Sequence, residues 1–224
     1  MFGSMFNNSK YSNVLTVILI IAIIAIIVVI GFIGYNIYRK YHIEKGAAEA
    51  VAQFDNLVNN NPSDNSIATN NTGINGIVED TEITTNNKTG KTTYKGYEVV
   101  STIQIPKINL KYPILEKVTK KSLETSVAFL YGPGLNEVGN NVIIGHNYRN
   151  GTMFSNLKKL SNGDAIYITD LTGRKIKYIV YKIYRTSGDD ASYMTRNTNG
   201  KREISLSTCT DDSKARTIVW AKEG

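Results

Sequence analysis

From Val14 to Gly34 the chain carries no charged side chain, and only Thr16, Gly31, Phe32 and Gly34 depart from Ile, Val, Leu and Ala. A bilayer core is spanned by about 20 apolar residues as a helix, because lipid offers the backbone no hydrogen-bond partners. The run is longer than the roughly 7–15 apolar residues of a signal peptide, and no small-x-small cleavage site follows promptly. It therefore reads as an uncleaved anchor, with a membrane helix over residues 14–38 behind a cytoplasmic tail of residues 1–13. Only Lys10 and the amino terminus precede the run, whereas Arg39, Lys40 and Lys45 follow it. By the positive-inside rule that small excess points to a cytoplasmic C-terminal part.

Beyond the span, residues 44–58 mix helix-forming Ala and Glu with scattered apolar side chains, as a short stalk would. Residues 59–95 are rich in Asn, Thr, Ser and Gly, too poor in large apolar groups to offset their ordering entropy. The expected organisation is thus a stalk and flexible tether over 39–95 and one folded domain over 96–224. From Glu98 onwards 19 basic residues face 12 acidic ones. No arginine–aromatic pattern accompanies that excess, so nucleic acid is not an expected partner.

Within the domain, short β-branched and aromatic runs recur between turn signals. Candidate strands are 99–105, 112–115, 128–131, 141–146, 165–169, 175–186, 203–209 and 216–222, with helical turns at 120–126 and 153–160. Many short strands and few helices argue for an all-β, closed or nearly closed barrel.

The chain has a single cysteine, Cys209, so its chemistry is that of a free thiol. If strands 203–209 and 216–222 form an antiparallel pair closed by 210–215, Cys209 lies opposite Arg216, Ser207 opposite Ile218, and Ser205 opposite Trp220. Ile204, Leu206, Thr208, Thr217, Val219 and Ala221 then share the other, core-facing side. A thiol is a better nucleophile than water once it is ionised, and a neighbouring cation favours the thiolate. Arg216 stays charged and can also stabilise an oxyanion. His146, which ends the run Val142–Gly145, is the candidate proton carrier. The other histidine, His42, stands at the membrane edge and reads as an interfacial residue. Ser207, Thr208, Ile218 and Trp220, beside these groups on the two strands, are the candidate substrate-binding residues. Taken singly, a strand-end cysteine is usually a small buried hydrophobe, and a strand-end histidine a turn or surface residue.

The segment Ser205-Leu206-Ser207-Thr208-Cys209 resembles the TLxTC signature of sortases, with Arg216 at the place of their arginine on the following strand. Gly145-His146-Asn147, followed by Gly151-Thr152-Met153-Phe154, is similar to the sortase histidine segment, especially in class B. Residues 105–114 resemble the opening of the catalytic domain. The resemblance covers about residues 99–224 together with the single N-terminal anchor. It implies an eight-stranded sortase-type β-barrel with short helices, and His146, Cys209 and Arg216 as catalytic residues. The implied activity is cysteine transpeptidation on the outer face of a Gram-positive cell membrane. Such an enzyme cuts an LPxTG-type sorting signal of a secreted protein and passes the acyl group, through a thioester, to a peptidoglycan-precursor or pilin amine. That places the domain outside the cell, against the charge bias. No cofactor or metal is expected; some relatives use calcium, but no acidic cluster here names such a site.

Ser205 stands where Thr is usual. The connection between 175–186 and 203–209 is short, whereas class B enzymes insert a long helix there. No Asp-Pro-aromatic lid precedes the barrel, which favours protein anchoring over pilus assembly. Two other readings remain: a membrane-tethered cysteine hydrolase with water as acceptor, and a non-enzymatic β-module in which Cys209 is structural.

Overall fold

The computed structural model describes residues 9–60 and 91–224. Most of the expected tether, residues 61–90, and the first residues of the expected tail lie outside the described residues. The chain divides into two compact units, residues 1–42 and 43–224.

In the first unit, helix α1 (Ser9–Asn60) begins. It is the one helix among the described residues long and apolar enough to cross a membrane. Its large apolar side chains from Val14 to Tyr41 are exposed all round the helix. A helix whose apolar side chains are exposed on every side suits lipid rather than water.

In the second unit, nine strands form one sheet: β1 (Thr92–Tyr94), β2 (Tyr97–Ile105), β3 (Leu110–Leu115), β4 (Val127–Tyr131), β5 (Gly139–Ile144), β6 (Ala165–Asp170), β7 (Lys175–Ser187), β8 (Arg202–Cys209) and β9 (Ala215–Glu223). Their order is β1-β2-β3-β4-β5-β8-β9-β7-β6, and β6 pairs back onto β2. Strands β2 to β9 thus close an eight-stranded barrel, as expected, and β1 is a hairpin extension of β2 through Lys95 and Gly96. All eight candidate strands are present; the sequence reading had no place for β1, which lies ahead of the expected domain start at 96. Period-2 alternation sends Ile103, Ile105, Ile166, Ile168, Leu206 and Val219 into the barrel, where all are fully buried.

The expected helical turns form as α2 (Lys120–Thr125) and a 3₁₀ turn over Phe154–Lys159. Thr119 caps α2 in a reciprocal capping box with Ser122. Met153, Phe154, Leu157 and Leu160 plug the barrel, while Lys158 and Lys159 point away.

The last turns of α1 are not a free stalk. From Ile43 onwards its residues belong to the barrel unit, and Ala50 and Phe54 pack with Tyr94, Val99, Leu115 and Ala128. Gly46 makes this approach feasible, since a Cβ there would meet the Tyr94 hydroxyl at 2.6 Å. Lys111 fixes the same segment by an ion pair to Asp55 at 2.9 Å.

Candidate active site

Strands β8 and β9 pair as the alternation required: Cys209 opposes Arg216, Ser207 opposes Ile218 and Ser205 opposes Trp220. The tight connection sets this register. Thr210 N–H donates to the Ala215 carbonyl at 2.9 Å, and the Thr210 hydroxyl accepts from Ala215 N–H at 3.1 Å. The last rung therefore sets Cys209 and Arg216 directly opposite each other, both half-buried. Arg216 Nε donates to the Gly188 carbonyl at 3.0 Å, which ties it to the β7–β8 connection. Its two terminal nitrogens have no hydrogen-bond partner among the described residues.

His146 comes to the same end of β8. Strand β5 runs parallel to β8 with Ile144 beside Ser207. The pairing continues past the end of β5, with Gly145 N–H on the Ser207 carbonyl at 3.2 Å and the Thr208 hydroxyl on the Gly145 carbonyl at 2.8 Å. Two residues on, Asn147 Nδ2 donates to the Cys209 carbonyl at 3.0 Å. This brackets His146 between two attachments to the cysteine's own strand. Gly145 permits it, because a Cβ there would lie 2.7 Å from Val127 Cγ1 and 3.0 Å from the Phe154 ring. The imidazole lies 5.1 Å from the Tyr148 ring, centroid to centroid. Burial draws its pKa below the ordinary value, opposed by the negative charge of Glu124. A histidine lowered from about 6.5 is mostly neutral at pH 7.

The candidate substrate-binding residues fall in different surroundings. Thr208 faces the barrel interior and lines a cavity of about 240 Å³ with Asn147, Lys158 and Asp211. Ser207 and Ile218 share the outer face with Cys209 but are covered. Their cover is the β7–β8 connection, whose Tyr193 and Met194 pack with Val142, Ile144, Ile218 and Trp220. Trp220 is half-buried, with the Arg196 guanidinium 4.5 Å from its ring. Beside this cover opens a cleft of about 610 Å³ between Phe129–Pro133, Asn140 and Met194–Arg196.

Arg196, which carries no expected role in the sequence reading, anchors that cover. It pairs with Glu203, donates to Tyr181 Oη at 3.1 Å and to Ser205 Oγ at 3.3 Å. Asn140 completes the anchor, donating to the carbonyls of Tyr193 at 2.9 Å and Met194 at 2.8 Å. Nothing in local pattern marks Arg196, since its partners lie on β7, β8 and β9. Among the described residues no group of three or more His, Cys, Asp or Glu side chains could hold a metal ion.

The chain that carries these groups is similar to known proteins in sequence and in fold. Residues 103–224 match the sortase domain family model. Sortase A of Bacillus anthracis is 30% identical over 125 residues, 54% of this chain and 58% of that relative. The chain thus matches less than two thirds of that relative's length. Among solved structures, a Clostridium perfringens sortase D5 transpeptidase shares 34% identity at a TM-score of 0.51, over 56% of this chain and 79% of the other. A Clostridium perfringens sortase C with its C-terminal cell wall sorting motif shares 26% at 0.51, over 56% and 70%. With its family model matched over more than half its length, the chain belongs to the sortase family.

Proposed function

We propose that the protein is a membrane-anchored cysteine transpeptidase that cleaves an LPxTG-like sorting signal and joins the new acyl end to a cell-wall or pilin amine. The observation that carries this reading is the shared rung of Cys209 and Arg216, with the His146 segment fastened to the same strand end. The named activity of the sortase D5 neighbour and the cell wall sorting motif present with the sortase C neighbour support it.

In this reading neutral His146 takes the thiol proton, and Cys209 Sγ attacks the scissile carbonyl carbon. A carbon–sulfur bond forms, and the carbonyl electron pair becomes an oxyanion beside Arg216. Collapse breaks the carbon–nitrogen bond, and His146 returns its proton to the leaving amine. The acceptor amine then attacks the thioester and gives a proton to His146. Collapse of this second oxyanion forms the new amide, and the expelled thiolate recovers the proton from His146. Helix α1 would hold the domain at the outer surface of the membrane, where both substrates lie.

Incubation of the full chain in detergent micelles with sorting peptides and amines, followed by mass spectrometry, tests the reading. The expected result is a peptide–amine ligation product and an acyl-enzyme on Cys209, both absent in Cys209→Ala. Hydrolysed peptide alone, with every amine, would instead make the protein a hydrolase. No turnover and no acyl-enzyme would overturn both.

A further inference from the structure

Strand β5 ends at Ile144, so His146 lies beyond the last regular rung and no ladder bond of its own holds it to β8. The neighbouring residue supplies the missing fastening. Asn147 Nδ2 has two hydrogens, and both are used: one on the Cys209 carbonyl at 3.0 Å, the other on Asp211 Oδ1 at 2.9 Å. Its Oδ1 accepts from Arg149 N–H at 3.0 Å. Two acceptors on one side and a donor on the other fix which way the amide points.

The far end of the bridge is also held. Lys158, from the 3₁₀ turn, pairs with the second oxygen of Asp211. The hydrogen bonds from Lys158 and Asn147 keep that carboxyl below the ordinary carboxylate range, so it remains a charged acceptor. On the other side, Asn147 pairs with Met153 in an isolated β-bridge, and Met153 is fully buried with φ of +49°. The His146 segment is thus seated on the barrel plug by its backbone, and on the cysteine's strand through Gly145 before the histidine and the Asn147 side chain after it.

We propose that Asn147 is a positioning residue that sets the separation of the His146 imidazole and the Cys209 thiol, with Asp211 acting through it. This role rests on the transpeptidase reading above. Asn147 does not touch the reacting atoms. It bonds to the carbonyl of the residue that bears the thiol while adjoining the residue that bears the imidazole. Displacing a reacting group by about 1 Å can cost on the order of 10²-fold in rate. The loss belongs in turnover, because peptide affinity depends on the cleft rather than on the thiol–imidazole distance.

The test is a cycle in the full chain in micelles: Asn147→Ala, Asp211→Ala and the double variant, each measured for kcat, KM, melting temperature and alkylation of Cys209 by iodoacetamide. Asn147→Ala should lower kcat at least tenfold with KM within threefold of wild type. Asp211→Ala should lower kcat by a smaller factor, and should add nothing in the Asn147→Ala background. A kcat within threefold of wild type for Asn147→Ala, or independent, multiplicative losses in the double variant, overturns the role. If Asn147→Ala does not fold, the exposed Asp211 decides: a loss of kcat at unchanged KM supports the bridge, and no loss refutes it. Should wild type transfer no peptide, the transpeptidase reading has failed. Alkylation still reads the bridge in that case, with slower labelling of Asn147→Ala in its favour and equal rates against it.

Discussion

Cys209 and Arg216 are directly opposed at the final rung of the β8–β9 ladder, and Arg216 spends one nitrogen, Nε, on the Gly188 carbonyl. The terminal nitrogens stay available for a developing oxyanion. Lys in this place keeps the charge but offers neither the planar fork nor the Nε anchor. Removal of one oxyanion donor costs about 10²–10³ in rate. Both Arg216→Lys and Arg216→Ala are expected to lose kcat by that order with a smaller change in KM. Steady-state kinetics with one peptide checks it, and near-normal turnover in Arg216→Ala would remove Arg216 from the chemistry.

Burial lowers the pKa of His146, so the folded protein resists taking up its proton. Between the unfolded value of about 6.5 and the lower folded value, the unfolded chain binds more protons. Stability is therefore expected to fall as pH drops through that window and to recover as pH rises above it. His146→Asn should flatten this part of the profile, read as melting temperature against pH, and should abolish ligation. An unchanged slope in His146→Asn would mean that another group titrates there.

Arg196 and Glu203 form an ion pair at side-chain exposures of 10% and 9%. Removal of one partner of a buried pair costs about 3–5 kcal/mol, mostly because the other is left charged and unpaired. Arg196→Leu is therefore expected to be strongly destabilised in denaturant unfolding, and Arg196→Leu with Glu203→Leu much less so. Because the pair anchors the wall of the 610 Å³ cleft, both variants should raise KM for a peptide more than they lower kcat. Equal stability of the single and double variants would count against the pairing.

Phe54 is completely buried between helix α1 and the β1–β2–β3 edge of the barrel. Phe→Ala in such a site costs about 3–5 kcal/mol. Phe54→Ala should lower the melting temperature of the barrel unit, and a chain begun at Gly96, lacking β1 and this helix, should be less stable still. Wild-type melting by a chain begun at Gly96 would show the helix to be dispensable.

The eight barrel strands were legible because each is a local alternation that fixes which side chains face inward. The 3₁₀ turn was legible for a similar reason, its apolar Met153, Phe154, Leu157 and Leu160 against outward lysines. Strand β1 was not, since Thr92–Tyr94 is three residues with no pattern of its own and is held only by pairing with β2. Nor was the docking of residues 43–60, whose small apolar stripe of Ala47, Ala50 and Phe54 looks the same in a free stalk. The cover over Ser207 and Ile218 was likewise hidden, because Tyr193 and Arg196 reach it from a loop without periodicity.

By itself the sequence determined an apolar span that only a helix can satisfy in lipid, a set of alternating strands, and the chemical types at one end of them. It also determined the Cys209–Arg216 rung, because a short closed connection and a period of two leave a single register that buries Leu206 and Val219. Tertiary structure alone decided that the segment carrying His146 is fastened to the same end of β8, since β5 and β8 are parallel neighbours separated by more than fifty residues of chain. It decided, too, that Asn147, Asp211 and Lys158 fasten the two together and that Arg196 closes the outer face. These are contacts between strand ends and loops, where neither propensity nor periodicity carries information and only the closure of the barrel brings the partners within hydrogen-bond reach.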